Sequence, residues 1–354
     1  MKFFILILSV CSCIQLIAQE DVEVTAAVTN KYDSVRSIYI KSYPDHFFLW
    51  PVLKQRRLDF EMEDLPDRRR SLTYKSNKPY ALGLGMYLFE IGLELTFAVP
   101  LDERSKEIYG ESDARDIQLN IFTKKWGLDL YQQKYSGFYI EDPAVKVPAN
   151  TPYPQRPDID TRNVGLIGNY IFNNKKFSFR SAYNYAERQL RSAGSFVLFT
   201  SISGFKARGD SAIIGDVYSA DFGIDSKIRE IKSTTFSIAP GYTYSLIHKG
   251  FFVNATLAVG PAHNWLSYEA EDGSTKNDIE FTAFFVARIS LGFNGDHFFG
   301  GLSFVSQGST AKFESVQLSS SSGTFKILFG YRFREVGFLK KRIVDLPKAI
   351  GLGG

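Results

Sequence analysis

Hydrophobic and polar residues alternate along many segments of this chain, and Thr324–Phe333 is the clearest example. Its odd positions are apolar or aromatic and its even ones mostly small or cationic: Phe325, Ile327, Phe329, Tyr331 and Phe333 against Lys326, Leu328, Gly330 and Arg332. Successive side chains of a β-strand point to opposite faces. The pattern therefore predicts a strand with one apolar face, which packs against a protein core or against lipid.

The same two-residue period recurs often enough to predict about 12 strands. The predicted segments are Pro79–Met86, Phe89–Phe97, Ala114–Thr123, Trp126–Lys134, Thr161–Phe172, Lys175–Tyr185, Ser195–Phe205, Thr234–Leu246, Phe251–Gly260, Phe281–Phe293, Phe298–Gln307 and Thr324–Phe333. Asn173-Asn174, His248-Lys249-Gly250 and Asn294-Gly295-Asp296 are predicted tight turns, because Asn and Gly tolerate the positive φ that hairpins need.

The predicted tight turns change sides midway along the chain. They follow the first, third and fifth strands, and then the eighth and tenth. Either residues 207–231 or residues 36–64 hide a further strand, or the first half of the chain has its longer connections on the other side. The predicted count is therefore 10 to 14 strands.

The lengths of these strands distinguish a membrane barrel from a soluble sandwich. Sandwich strands usually have about 5–6 residues, whereas tilted strands that cross a bilayer have roughly 9–11. Several predicted strands reach ten residues or more, and closing the sheet removes its exposed edges. We therefore predict an all-β fold, an antiparallel transmembrane β-barrel.

The chain ends lie outside the predicted barrel. Residues 1–18 have the basic start, apolar run and small final residue of a signal peptide, although acylation at Cys11 or Cys13 is an alternative. Residues 19–78 are a predicted periplasmic lead-in that contains either a hairpin or an inner plug. The barrel occupies 79–334, and 335–354 form a periplasmic tail.

Composition supports strands and removes some functional classes. The chain has 19 Tyr and 31 Phe, residue types that favour strands and membrane interfaces, but only 2 Cys, both in the predicted signal. Disulfides therefore cannot stabilise the mature chain. A net charge of +4 is too small in a chain this long to indicate a nucleic-acid partner.

Charged residues at alternating positions are predicted to face the barrel interior. These candidates are Glu90, Glu94, Asp116, Asp129, Arg180, Arg288, Lys326 and Arg332. They form either a network of ion pairs that fills a small barrel or a polar conduit for small solutes. Because both signs of charge are present and can neutralise each other, the filled interior is the favoured interpretation.

Candidate catalytic residues are few. His46, His248, His263 and His297 lie far apart in sequence, so no metal or other cofactor is expected. His263, with a nearby serine such as Ser267 or a carboxylate, is the basis of an alternative function, an outer-membrane lipid-processing hydrolase. No phosphate-binding or dinucleotide-binding motif is present.

Short Gly- and Tyr-rich motifs in a fixed order are similar to those of a known family. The chain resembles an uncharacterised Bacteroidota outer-membrane family, domain of unknown function 4421, in the motifs Leu82-Gly83-Leu84-Gly85, Ile91-Gly92-Leu93, Asp129-Leu130-Tyr131-Gln132, Tyr135-Ser136-Gly137-Phe138-Tyr139, Arg191-Ser192-Ala193-Gly194-Ser195 and Pro240-Gly241-Tyr242. The resemblance implies an outer-membrane barrel, and it implies no activity or catalytic residues.

The sequence therefore predicts a non-enzymatic protein of the bacterial outer membrane, with a structural role or a role in passive transport of small solutes. Its expected partners are outer-membrane lipid and the barrel-assembly machinery, which would recognise the C-terminal strand. A small solute is a further candidate ligand.

Overall fold

A computed structural model describes residues 34–65, 70–88 and 91–335 of the chain. The predicted signal peptide and the tail after residue 335 lie outside these ranges, as does Glu90. Helical turns occur at residues 34–39, Glu103–Tyr109, Phe179–Ser181, Asp216–Asp221 and Gly223–Lys227. No helix among the described residues is long and apolar enough to cross a membrane.

The described residues form fifteen strands. In chain order they are β1 (Ile40–Ser42), β2 (His46–Asp64), β3 (Ser71–Lys75), β4 (Ala81–Leu88), β5 (Ile91–Ala98), β6 (Asp113–Phe122), β7 (Trp126–Glu141), β8 (Gln155–Ile171), β9 (Glu187–Gln189), β10 (Ala193–Arg208), β11 (Ile228–His248), β12 (Phe251–Ala270), β13 (Thr275–Asn294), β14 (Phe298–Lys312) and β15 (Val316–Arg334).

The protein is an antiparallel transmembrane β-barrel. Strands β2, β3, β7, β8 and β10–β15 form a closed circuit of ten, in which β15 pairs with β2 from Val316↔Asp64 to Arg334↔His46. Strands β4, β5 and β6 extend the wall beside this circuit. The predicted range of 10 to 14 strands is confirmed.

An apolar band surrounds the outside of the barrel. On β11 it consists of the exposed residues Phe236, Ile238, Tyr242, Tyr244 and Leu246. At about 3.3 Å per residue and a tilt of about 40°, these residues cover roughly 25 Å, which is the usual height of a lipid-facing band. The alternating stripe predicted for this strand is therefore the membrane-facing surface.

The two ends of the barrel differ in their connections. Turns at 123–125, 249–250 and 295–297 lie at one end, together with the start of β2 and the end of β15; we call this the short-turn end. Longer connections at 99–112, 142–154 and 209–227 lie at the opposite, long-loop end.

The barrel begins at His46 rather than at residue 79. Strand β2 spans 19 residues and pairs with β15 on one side and with β3 and β4 on the other. Polar and apolar residues are mixed on both faces of this strand. Lys54 and Arg56 face inward and Leu49 and Pro51 face outward, so its sequence does not show a regular alternation of apolar and polar residues. This is the further strand within residues 36–64 that the sequence left open.

The predicted strand Lys175–Tyr185 is wrong. Strand β10 pairs directly with β8, with Val197 opposite Ile171, and residues 172–192 between them fold into the bore. We call residues 172–192 the inner segment. Positive φ occurs at Tyr185 rather than at Asn173 or Asn174. With β2 added and this strand removed, the predicted tight turns that join the strand pairs β6–β7, β11–β12 and β13–β14 all lie at the short-turn end.

Two apolar clusters separated by polar side chains fill the interior. The cluster at the short-turn end contains Phe48, Trp50 and Phe299 together with the inner segment, and the cluster at the long-loop end contains Leu58, Phe60 and loop residues such as Phe222. Between them on β2 lie Lys54 and Arg56. The same order of apolar, polar and apolar side chains recurs on β10, at Phe199, Ser201 and Phe205.

Candidate functional site: the charged interior

Arg288 and Asp129 form a buried ion pair across the bore. Nη2 of Arg288 on β13 lies 2.7 Å from Oδ2 of Asp129 on β7, and both side chains are almost fully buried. The guanidinium also lies 5.0 Å from the ring centre of Phe199. The sequence placed both residues inside the barrel, and the structure brings them together. A pair this deep neutralises charge where water is scarce.

Glu94 on β5 is the centre of a second charged group. Its carboxylate lies 3.2 Å from Nζ of Lys54 on β2 and 3.0 Å from Nζ of Lys326 on β15, and it accepts a hydrogen bond of 3.3 Å from Nε1 of Trp50. Lys326 was predicted to face inward. Lys54 was not, because β2 was not recognised as a barrel strand.

Asp116 on β6 accepts hydrogen bonds from two side chains. Tyr135 donates to it at 2.7 Å, and Nζ of Lys78 forms an ion pair with the same carboxylate oxygen. Lys78 lies between β3 and β4, so the alternation rule did not apply to it. The polar sequence around Lys78 gives no indication that its side chain faces the interior.

Arg332 near the end of β15 attaches the inner segment to the wall. Its guanidinium donates to the carbonyl oxygens of Gly295 and Tyr185 and to Oδ1 of Asn294, at 2.6, 2.7 and 2.7 Å. The side chain is 1% exposed, and the centre of the Tyr43 ring lies 4.2 Å from it. Because Arg presents a planar fork of donors, one residue can hold three oxygens at once.

Arg180 lies on the inner segment, so its predicted place on a strand is wrong although it lies inside the barrel. It contacts Glu187 at 3.4 Å and donates to Tyr87 at 2.8 Å. Glu187 is fully buried and also pairs with Arg36, at 2.7 Å. Alternation in the inner segment comes from packing on all sides rather than from a strand.

Residues 40–43, which precede the barrel, contact the inner segment and a turn at the short-turn end. Strand β1 pairs with β9, so Ile40 faces Gln189 and the chain before the barrel is bound to the inner segment. Asp296, in the turn between β13 and β14, contacts Lys41 at 2.6 Å and Arg188 at 3.1 Å. The hydrogen bond from Lys41 lowers the pKa of Asp296 to about 2. Burial raises the pKa of neighbouring Tyr43 to about 12.

The candidate catalytic residues His263 and Ser267 lie apart from each other on β12. The described residues contain no cluster of three or more His, Cys, Asp or Glu side chains that could hold a metal ion. His263 lies on the outer face, where its ring centre is 4.3 Å from that of Trp265 and 4.6 Å from that of Phe281. Ser267 lies four residues farther along β12, about 13 Å at strand spacing, which exceeds hydrogen-bond reach.

Comparison with family models decides the family. A model described as Domain of unknown function (DUF4421) matches residues 31–333, most of the chain. The chain belongs to this family. The residues matched by DUF4421 include every barrel strand except the last residue of β15. The resemblance inferred from the short motifs is confirmed at the level of the family.

Solved outer-membrane proteins show distant similarity to this DUF4421 member. The attachment invasion locus protein Ail of Yersinia pestis is 14% identical and covers 59% of this chain and 97% of its own, with a TM-score of 0.23. The toluene transporter TodX of P. putida is 8% identical over 83% and 92%, with a TM-score of 0.24.

The translocator domain of the autotransporter NalP from Neisseria meningitidis is 10% identical over 87% of this chain and 95% of its own, with a TM-score of 0.30. Among curated proteins, none matches the sequence.

Proposed function

We propose that the protein is a non-enzymatic barrel of the bacterial outer membrane with a structural role, and that its bore does not conduct solutes. The inner segment is the observation that carries this proposal. Phe177, Phe179, Tyr183 and Tyr185 of this segment are buried inside the wall. A solute entering from the short-turn end would meet packed aromatic rings instead of water.

Contacts along its length support a fixed position for the inner segment. Tyr183 hydrogen-bonds to Asn254 at 2.8 Å, Ser290 donates to the carbonyl oxygen of Ala182 at 2.9 Å, and Arg332 binds Tyr185. These bonds attach the segment to β12, β13 and β15. Passive transport through the bore would need all three attachments to break, so the structural role is favoured over the conduit.

The orientation of the barrel follows from its two ends. Single-chain bacterial barrels have short periplasmic turns and longer extracellular loops. We therefore assign the short-turn end to the periplasm and the loops at 99–112, 142–154 and 209–227 to the cell surface. In this assignment β15 is the strand that the barrel-assembly machinery recognises, and outer-membrane lipid contacts the apolar band.

Planar-bilayer recording tests the closed bore. Refolded full-length protein should give no conductance steps. A variant in which Gly-Gly replaces residues 175–191 keeps β8 and β10 and serves as the matched control, in which we expect steps. Stepwise conductance by the unaltered protein at the level of the variant would contradict the proposal.

The hydrolase alternative is tested separately. Refolded protein in mixed micelles with phospholipid should release no fatty acid above a no-protein blank. Release that disappears in the His263→Ala variant would favour the enzyme and contradict the non-enzymatic role.

A further inference from the structure

Strands β5 and β6 follow each other in the chain but do not pair. Strand β5 pairs with β4, from Leu88↔Ile91 to Ala81↔Ala98, and β6 pairs with β7, from Asp113↔Ser136 to Phe122↔Gly127. Each has one neighbour, so two backbone edges face each other. We call the space between these two edges the seam.

The seam arises where the wall forks. Strand β3 pairs with β7 through Lys75↔Tyr139, which closes the circuit towards the long-loop end. After residues 76–80 the chain continues as β4, which pairs with β2 and β5 instead. The wall therefore divides towards the short-turn end, with β4 and β5 on one side and β6 and β7 on the other.

Apolar side chains flank the seam on the outside. The exposed residues are Leu93, Leu95 and Phe97 on β5 and Ile117 and Leu119 on β6. They place both strand edges within the lipid-facing band. Unpaired backbone groups are costly in hydrocarbon, so such edges need a molecule that can cover them.

Cations predominate behind the seam. Lys54, Arg56, Lys78 and Lys326 face this part of the interior, whereas the described carboxylates there are Glu94 and Asp116. Glu94 is shared by Lys54 and Lys326, and Asp116 pairs with Lys78. An anion would therefore complete the balance of charge.

Of these four cations, Arg56 is the one that forms no ion pair with a carboxylate among the described residues. It is 8% exposed, its Nη2 donates to Oε1 of Gln118 on β6, and its Nε has no hydrogen-bond partner. A buried guanidinium normally pairs with an acidic group. Its Nη2 reaches the strand edge that Gln118 occupies.

Side chains do not hold the seam closed. Within the described ranges, no side-chain hydrogen bond or ion pair links β5 directly to β6; Glu94 bonds to β2 and β15, and Gln118 to Arg56 on β2. A lipid head group can therefore take the place of Gln118 at Arg56 while β5 stays paired with β4 and β6 stays paired with β7.

We propose that the seam binds an anionic phospholipid that enters sideways from the membrane. The lipid phosphate reaches Arg56 and Lys78 between β5 and β6, and its acyl chains remain outside against Leu95, Phe97 and Ile117. The site depends on the barrel lying in a membrane, and it is independent of whether the bore conducts.

Native mass spectrometry of the full-length protein in non-ionic detergent tests this site. With equimolar phosphatidylglycerol and phosphatidylcholine added, we expect one phosphatidylglycerol retained in preference. Gln118→Glu supplies a carboxylate of the same shape to Arg56 and should reduce retention about tenfold or more. Arg208→Gln, which removes an exposed cation elsewhere, should leave retention unchanged.

A second variant and a competitor complete the experiment. Arg56→Gln should also lose the lipid, and heat-modifiable gel migration shows that each variant is folded. Equal retention by folded Gln118→Glu protein, or no preference for the anionic lipid, would overturn the proposal. So would displacement by millimolar inorganic phosphate, which would indicate a site for free anions, or capture of a partner's β-strand along the seam.

Discussion

Arg332 donates a 2.7 Å hydrogen bond to the carbonyl oxygen of Tyr185, and this bond joins the last strand of the barrel to the segment that fills it. The residue at the closing edge of the sheet therefore also holds the contents of the bore. Formation of β15 and fixation of the inner segment should be coupled.

Replacing Arg332 should destabilise both the pairing of β15 and the position of the inner segment. Arg332→Met leaves the buried acceptors of Asn294 and Tyr185 without a donor, and each such acceptor costs about 1–3 kcal/mol; the Gly295 carbonyl keeps only the hydroxyl of Tyr43. We expect a lower midpoint of urea unfolding in lipid vesicles. Arg334→Met, an exposed cation two residues along, is the control and should shift the midpoint little. Equal shifts for the two variants would contradict this role.

Arg288 and Asp129 should stabilise the folded protein only when both side chains are present. Arg288→Met leaves Asp129 buried without a cation, which typically costs about 3–5 kcal/mol. Adding Asp129→Asn should recover a large part of this loss. Lys276→Met, which breaks the exposed pair with Glu314, should cost less than about 1 kcal/mol. Additive effects of Arg288→Met and Asp129→Asn would show that the two side chains do not interact.

The ion pairs of Asp296 with Lys41 and Arg188 should weaken in acid. The pKa of its carboxyl is about 2 in the folded protein, below the ordinary value of 3.8, so the ionised form favours folding. That stability is present above about pH 4 and is lost as the pH falls towards 2. Because Asp296 and Lys41 are about half exposed, the effect should stay below about 1 kcal/mol.

The rate of proteolysis before His46 measures how strongly these ion pairs hold the residues that precede the barrel. Asp296→Asn protein should be cleaved before His46 faster than the unaltered protein at pH 7. At pH 2, where about half of Asp296 is protonated in the folded protein, an acid protease should cleave the two proteins at more similar rates than at pH 7. A difference at pH 2 as large as that at pH 7 would assign the effect to something other than ionisation of Asp296.

Position in the membrane should decide the effect of a surface charge. Leu257 on β12 is 62% exposed within the apolar band, and Val217 is 90% exposed in the 209–227 loop. Leu257→Arg should destabilise the protein by about 2–4 kcal/mol if it lies near the bilayer midplane. Val217→Arg should change stability by less than about 0.5 kcal/mol. Unfolding from vesicles measures both, and similar small changes would contradict a lipid-facing band.

The outer surface could be predicted from sequence because lipid imposes a single rule. Side chains such as Phe236 and Ile238 on β11 must be apolar, and their inward neighbours are free to be small or polar. The alternation is therefore regular. Lys249 and Gly250 at the next turn both adopt positive φ, as that hairpin requires.

The inner segment could not be predicted because the same residues satisfy two environments. Phe177, Phe179, Tyr183 and Tyr185 would suit a lipid-facing strand, and they equally suit a bore lined by Phe199, Phe252 and Phe299. The deciding contact, β8 against β10, depends on residues more than twenty positions apart. A single sequence carries no local signal for it.

Charged candidates were recognised best where the strand itself was recognised. Asp129 and Arg288 lie on regular strands, so their inward orientation followed from the alternation, and the structure shows that they pair. Arg56 and Lys78 were missed because β2 has polar and apolar residues on both faces and Lys78 lies between strands. The seam could not be foreseen, since alternation along β5 and β6 does not reveal which strands pair.

Cross-linking of the inner segment to the wall tests the filled barrel most directly. In a Cys11→Ser/Cys13→Ser background, Ala182→Cys and Ser290→Cys place thiols where the Ser290 hydroxyl now donates at 2.9 Å to the Ala182 carbonyl. A short bifunctional thiol reagent should join them in intact membranes and trap a faster-migrating form on a denaturing gel. The pairing of Ala182→Cys with Val217→Cys should give no such form. Failure of the 182–290 pair to cross-link, although each cysteine alone reacts with a small thiol reagent, would mean that the inner segment lies outside the bore.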